Sequence, residues 1–252
     1  MLKNDNLKTF FLFPQKLVFE DIAEKIISSQ TEAFVLNNHV EFKEALKIFN
    51  ENSLAFINID SVLSENEWIE YVRNIREDSH FSNIKIGILS FNSNQNLIDI
   101  YKNELKIECG YHILSSRNRL YETDILEVIS RFNPPEKNKI LRLDFDRNDP
   151  VNFKIKAGSQ SISGNIDALS SAAMSVTLAN DKILSKGFEL NSIQISYREN
   201  HCKLMGTVIG NSRYNKNNFI IKFNNLFDGF HREPLFKIIH QVLDYQMKEL
   251  VK

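Results

Sequence analysis

Apolar and polar residues change their spacing partway along the chain. Up to residue 133, short apolar runs alternate with stretches in which apolar residues recur every three to four positions. The runs predict strands over 8–13, 33–36, 54–59, 84–91 and 111–114; the spaced stretches predict helices over 19–29, 40–49, 65–75, 96–105 and 122–132. Strands without a polar face need cover on both sides. Five such units therefore predict a doubly wound parallel sheet, with ligands at the carboxyl ends of its strands.

Beyond that point the period becomes two. Val151, Phe153 and Ile155 alternate with polar neighbours, as do Ile193, Ile195 and Tyr197, and further strand-like runs lie at 172–178, 204–209 and 219–223. Turn signals at 157–159, at Lys186-Gly187 and across 211–218 separate them, which predicts a small antiparallel β-barrel. Behind Pro234, residues Leu235, Ile238, Ile239, Val242, Leu243, Met247 and Leu250 share one face of a terminal helix expected to pack on the barrel. Paired prolines at 134 and 135 forbid a continuing helix, so the chain reads as an α/β domain over 1–133, a linker over 134–138 and a β domain over 139–252.

Composition narrows the function classes. At 252 residues and 42% hydrophobic, the chain can bury two ordinary cores. No apolar run approaches the roughly 20 residues that span a bilayer, and the N-terminus lacks the marks of a signal peptide. A cytoplasmic protein without membrane insertion is expected. The net charge of −1 hides an asymmetry: residues 1–133 carry 14 basic against 20 acidic residues (net −6), and residues 134–252 carry 17 against 12 (net +5). The second half suits an anionic partner, although an excess of this size also fits a plain solvated surface. Cys109 and Cys202 lie far apart, and the six histidines show no metal-ligand spacing, so neither a metal nor a cofactor is expected. The 19 phenylalanines fall largely on periodic apolar positions such as Phe56, Phe153 and Phe219, which favours core packing over stacking on DNA or RNA bases. His201-Cys202 would point to opposite sides of a strand, so no nucleophile with its base is implied and no enzyme is expected.

The five β-α units resemble the receiver domain of response regulators. The resemblance implies an acidic pair after the first strand, an aspartate acceptor ending the third, a Ser or Thr ending the fourth and a lysine ending the fifth. A carboxylate nucleophile and a phosphoryl group coexist only when metal and lysine charge offset their repulsion. Here Pro14-Gln15-Lys16 follows the first strand, Asn58 stands at the acceptor position with Asp60 two residues on, Ser90 matches the hydroxyl, and Ser115-Ser116-Arg117 replaces the lysine. The expectation is a pseudo-receiver without phosphoryl transfer, left with contacts to another protein or to a second copy of itself.

The second half carries Arg142-Leu143-Asp144-Phe145 after a basic linker, the run from Ser163 to Ser170, Lys186-Gly187-Phe188, and Gly206-Thr207-Val208-Ile209 followed by 218–226. These phrases resemble the PilZ family, a barrel with a C-terminal helix that typically binds cyclic di-GMP. The resemblance implies RxxxR in the linker, to grip phosphate and stack on guanine, and [D/N]xSxxG on the barrel, to bond the base edge and leave room. The first motif reads Asn138-Lys139-Ile140-Leu141-Arg142, and the second reads Ala168-Leu169-Ser170-Ser171-Ala172-Ala173. Arg142 and Ser170 survive at motif positions, with Lys139 and Arg147 as looser cations. Asp167 comes one residue early, and a one-residue slip turns a strand side chain to the opposite face unless a bulge intervenes. The protein expected from these residues is a non-catalytic signalling adaptor that acts through protein contacts, with weak or absent cyclic di-GMP binding. An effector whose domains redock when the messenger binds stays open as the alternative, as does a homodimer through the terminal helix.

Overall fold

The fold comes from a computed structural model, which describes residues 6–115, 117, 119–133, 140–145, 151–157, 160–179, 184–211, 218–224 and 232–251. They fall into two compact units, one drawn from 2–139 with 243–252 and the other from 140–242.

In the first unit every predicted strand forms within one residue of its expected ends: β1 Lys8–Leu12, β2 Glu32–Leu36, β3 Ser53–Asn58, β4 Lys85–Ser90 and β5 Gly110–Ile113. All pairings are parallel, in the order β2-β1-β3-β4-β5. That is the doubly wound arrangement, with its topological switch between β1 and β3. The helices are α1 Lys16–Ser28, α2 His39–Ile48, α3 Glu65–Glu77, α4 Gln95–Asp99 and α5 Leu120–Phe132. Adjacent strand residues face opposite ways, so Phe11 stacks on Phe56 at 5.2 Å beneath Ile22, Ile26, Ile125 and Ile129. Phe10 stacks on Phe34, also at 5.2 Å, on the other face.

Local signals set the helix starts. Asn38 Oδ1 accepts from Val40 N–H at 2.8 Å to open α2, and Ser64 with Glu67 forms a capping box for α3. The predicted helix over 96–105 is not uniform. α4 gives way to one π turn at Ile100–Glu104, where Leu105 N–H donates to Ile100 O at 3.0 Å; the wider turn buries Tyr101 and Leu105 together.

The second unit contains β6 Arg142–Asp144, β7 Val151–Ala157, β8 Gln160–Ser170, β9 Ala173–Leu178, β10 Glu189–Tyr197, β11 Asn200–Asn211 and β12 Asn218–Phe223. Antiparallel pairing runs β6-β8-β7-β10-β11-β12-β9, and a β8–β9 pairing closes six strands into a barrel, with β6 added on β8. Phe153, Ile155, Ile193, Ile195, Val208, Phe219 and Ile221 alternate inward and are buried. Gly164 pairs with Phe153 on β7 and Leu178 on β9, and a Cβ there would run into the Thr177 carbonyl. Only glycine lets β8 pass this closely. Gly187, at φ 85, makes the turn before β10.

α6 spans Glu233–Leu250. Its residues up to 242 belong with the barrel, where Leu235, Ile238 and Ile239 are fully buried and Gln241 Oε1 accepts from Asn200 Nδ2 at 2.8 Å. Among the described residues, no helix is long and apolar enough to cross a membrane.

Candidate functional site

The outer wall of the barrel holds a groove of about 600 Å3 between β6, β8, β9 and β12. Strand register builds it. Arg142 on β6 lies directly opposite Ser170 on β8, and Leu169 faces Met174 on β9. Pairing thus brings the two surviving motif residues, 28 positions apart in sequence, to the same place. Ala168 and Ala173, the positions where the motif calls for an acid or amide and a glycine, line the groove beside Ile140 and Ile220. Asn138, Lys139 and Arg147 lie outside the described residues.

Arg142 and Ser170 are both bonded within the protein. The Arg142 Nε donates to Asp144 Oδ1 at 2.9 Å, with both side chains over 60% exposed. Ser170 Oγ donates to Ala173 O at 3.0 Å and accepts from the N–H groups of Ala172 (3.2 Å) and Ala173 (3.0 Å). It therefore ties the β8–β9 turn, as short hydroxyl side chains do when they bond to nearby backbone.

The Asp167 expectation turns on a bulge, and the bulge is present. Between Ile166 and Ala168 the β8–β9 register shifts: Ile166 pairs with Val176 and Ala168 with Ser175, leaving Asp167 as the extra residue. Its Oδ2 accepts from Asn218 Nδ2 (2.6 Å) and Thr177 Oγ1 (2.9 Å), and Ser175 Oγ donates to Asn218 Oδ1 (3.1 Å). Asp167 thus stands on the outer side with these residues, beside Ala168 rather than opposed to it. The sequence reading missed Asn218, Asn211 and Ser175 as groove residues. The only signal for them is their outward phase on β9, β11 and β12, which any solvated strand shares.

In the first unit Asn58, Asp60 and Ser90 also come together. Asn58 Oδ1 accepts Asp60 N–H at 2.9 Å, Ser90 Oγ donates to Asp60 Oδ1 at 2.5 Å, and Phe91 N–H lies 3.1 Å from both Asp60 oxygens. The cysteines are buried apart from both sites: desolvation pushes the Cys109 thiol up to about 12 and the Cys202 thiol up to about 11. Cys202 is buried on β11 while His201 is exposed, as their alternation requires. Among the described residues, no three His, Cys, Asp or Glu converge on a metal-sized site.

No protein-family model matches this chain, and no curated protein does. Among solved structures, the PilZ domain of YcgR from Escherichia coli, determined with c-di-GMP, is similar at 17% identity, with a TM-score of 0.37 over 44% of this chain and 95% of that one. The inhibitor of motility MotI/DgrA from Bacillus subtilis is 16% identical, with a TM-score of 0.32 over 42% of this chain and 50% of that one. The PilZ domain of CeSA from a cellulose-synthesizing bacterium is 15% identical, with a TM-score of 0.31 over 40% of this chain and 97% of that one. The overlap falls in the C-terminal part.

Proposed function

We propose that this chain is a non-catalytic cytoplasmic signalling adaptor of the PilZ type, acting through protein contacts, with weak or absent cyclic di-GMP binding at the groove. One observation carries the reading: the polar anchors of the groove are bonded within the protein. Arg142 Nε is bonded to Asp144, the Ser170 hydroxyl is spent on its turn, and the Asn218 amide at the groove is bonded to Asp167 behind it. A nucleotide would have to displace these bonds in a groove whose remaining wall is largely Ile140, Ala168, Leu169, Ala173 and Ile220. The motifs lack two charge-assisted bonds to the ligand, and at about 1.5–3 kcal/mol each their absence weakens binding by roughly a hundredfold or more. The first unit is read as a receiver-like domain without phosphoryl chemistry, also serving contact, and residues 134–138 are read as the linker.

The effector reading rests on a different observation, the bulge that sets Asp167 on the outer side of β8. Calorimetry with cyclic di-GMP and the full chain separates the two. The adaptor reading expects a dissociation constant above about 100 μM; one below about 1 μM, lost in Arg142→Ala, supports the effector.

A further inference from the structure

At the carboxyl ends of the parallel strands, where a doubly wound sheet takes its ligands, the donors converge on an anion that the chain itself supplies. The Ser90 hydroxyl reaches Asp60 Oδ1 at 2.5 Å, within the short range of a charge-assisted O–H···O⁻ bond. The N–H of Phe91 faces both carboxylate oxygens at 3.1 Å. Asn92 N–H donates to Ser90 Oγ at 3.0 Å, which leaves the Ser90 proton directed at Asp60, and Asn58 Oδ1 holds the Asp60 N–H from behind. Asn58 and Ser90 are 2% and 1% exposed, so the frame around the carboxylate is fixed.

We propose that Asp60 is a built-in ligand: its carboxylate fills an oxyanion cradle made by the Ser90 hydroxyl and the Phe91 N–H. In doing so it latches the segment after β3 onto the segment after β4 and closes the cradle to an external phosphoryl or carboxylate group. The backbone next to it supports this. Two residues beyond Asp60, Val62 sits at φ 76 while 61% exposed, a conformation that costs a β-branched residue and that its own packing does not offset. Leu63 N–H donates to Ser61 O at 3.0 Å and closes a γ-turn around Val62, and Trp68 Nε1 donates to the same carbonyl at 3.0 Å, so the turn is held one residue beyond the Asp60 latch. The latch belongs to the first unit alone and stands whether or not the barrel binds a nucleotide.

Amide exchange and thermal unfolding of full-length Asp60→Ala, with sodium formate against sodium chloride at equal ionic strength, test it. The variant is expected to exchange the amides of Phe91 and Asn92 about tenfold faster or more than the wild type. Formate, which can enter the emptied cradle, slows that exchange and raises the variant's unfolding midpoint without affecting the wild type. Unchanged exchange in the variant overturns the latch, and equal stabilisation of the wild type by formate overturns its closure. Should Asp60→Ala fail to fold, Ser90→Ala in the same exchange assay replaces it: faster exchange at Phe91 supports the proposal and no change overturns it.

Discussion

Replacing Ser170 by alanine separates a structural serine from a ligand-binding one. The hydroxyl makes three bonds, one donated to Ala173 O and two accepted from the N–H groups of Ala172 and Ala173, and the residue is only 8% exposed. Water can reach the half-buried alanines once the hydroxyl is gone, so the loss falls short of three full bonds and amounts to about 1–2 kcal/mol. With a urea m-value of about 1.5 kcal/mol/M for a domain of this size, the midpoint should drop by roughly 1 M. The chain has a single tryptophan, Trp68 on α3 of the first unit, so its fluorescence follows that unit, and amide exchange at β8 and β9 under the same urea follows the barrel. The barrel transition should move and should move alike with and without cyclic di-GMP. A barrel midpoint unchanged within about 0.2 kcal/mol would refute the turn-tying role and return Ser170 to the ligand.

Four further outcomes are expected. Incubation with acetyl phosphate and Mg2+ should leave the intact mass unchanged, since Asn58 cannot form an acyl phosphate and Asp60 is engaged by Ser90 and Phe91; a gain of one phosphoryl group on Asp60 would contradict this. Limited proteolysis should cut first between Asn133 and Lys139, and a chain resistant there would remove the proposed connector. Gly164→Ala should destabilise the barrel by about 2 kcal/mol or more in the same urea assay, because its Cβ meets the Thr177 carbonyl, backbone that cannot move aside. Neither cysteine should react with Ellman's reagent at pH 8 until denaturant is added: with thiols raised to about 12 and about 11, the reactive thiolate is roughly one part in a thousand or less.

The parallel unit was legible because its signal is redundant. Strands buried on both faces, such as Ser53–Asn58, and amphipathic helices such as Glu65–Glu77 mark their own ends through apolar runs and caps. Even there the pattern could not separate a helix from a helix with one π turn, since Leu97, Ile98, Tyr101 and Leu105 are buried under either geometry. In the barrel, strand phase was readable at Val151–Ile155 and Ile193–Tyr197, but β6 was not. Three residues, Arg142–Asp144, with one buried between two exposed, are too short for a period to appear.

The groove shows where such reading stops. A period of two assigns Asp167 to one face and Ala168 to the other, and on that count the acid cannot replace the missing motif residue. The chain instead spends an extra residue at 167, so the alternation restarts and Asp167 joins Asn218 and Thr177 on the outer side. Nothing local announces the restart: Ile166, Ala168 and Leu169 are all buried, and only the register of β9 reveals that two residues oppose one. A bulge belongs to a pair of strands, whereas the sequence presents them one at a time. The same holds for Asp60, whose bond to Ser90 depends on β3 and β4 lying side by side. The distinction between adaptor and effector therefore rests on whether side chains at motif positions are already bonded, a property of pairing that residue identity does not carry.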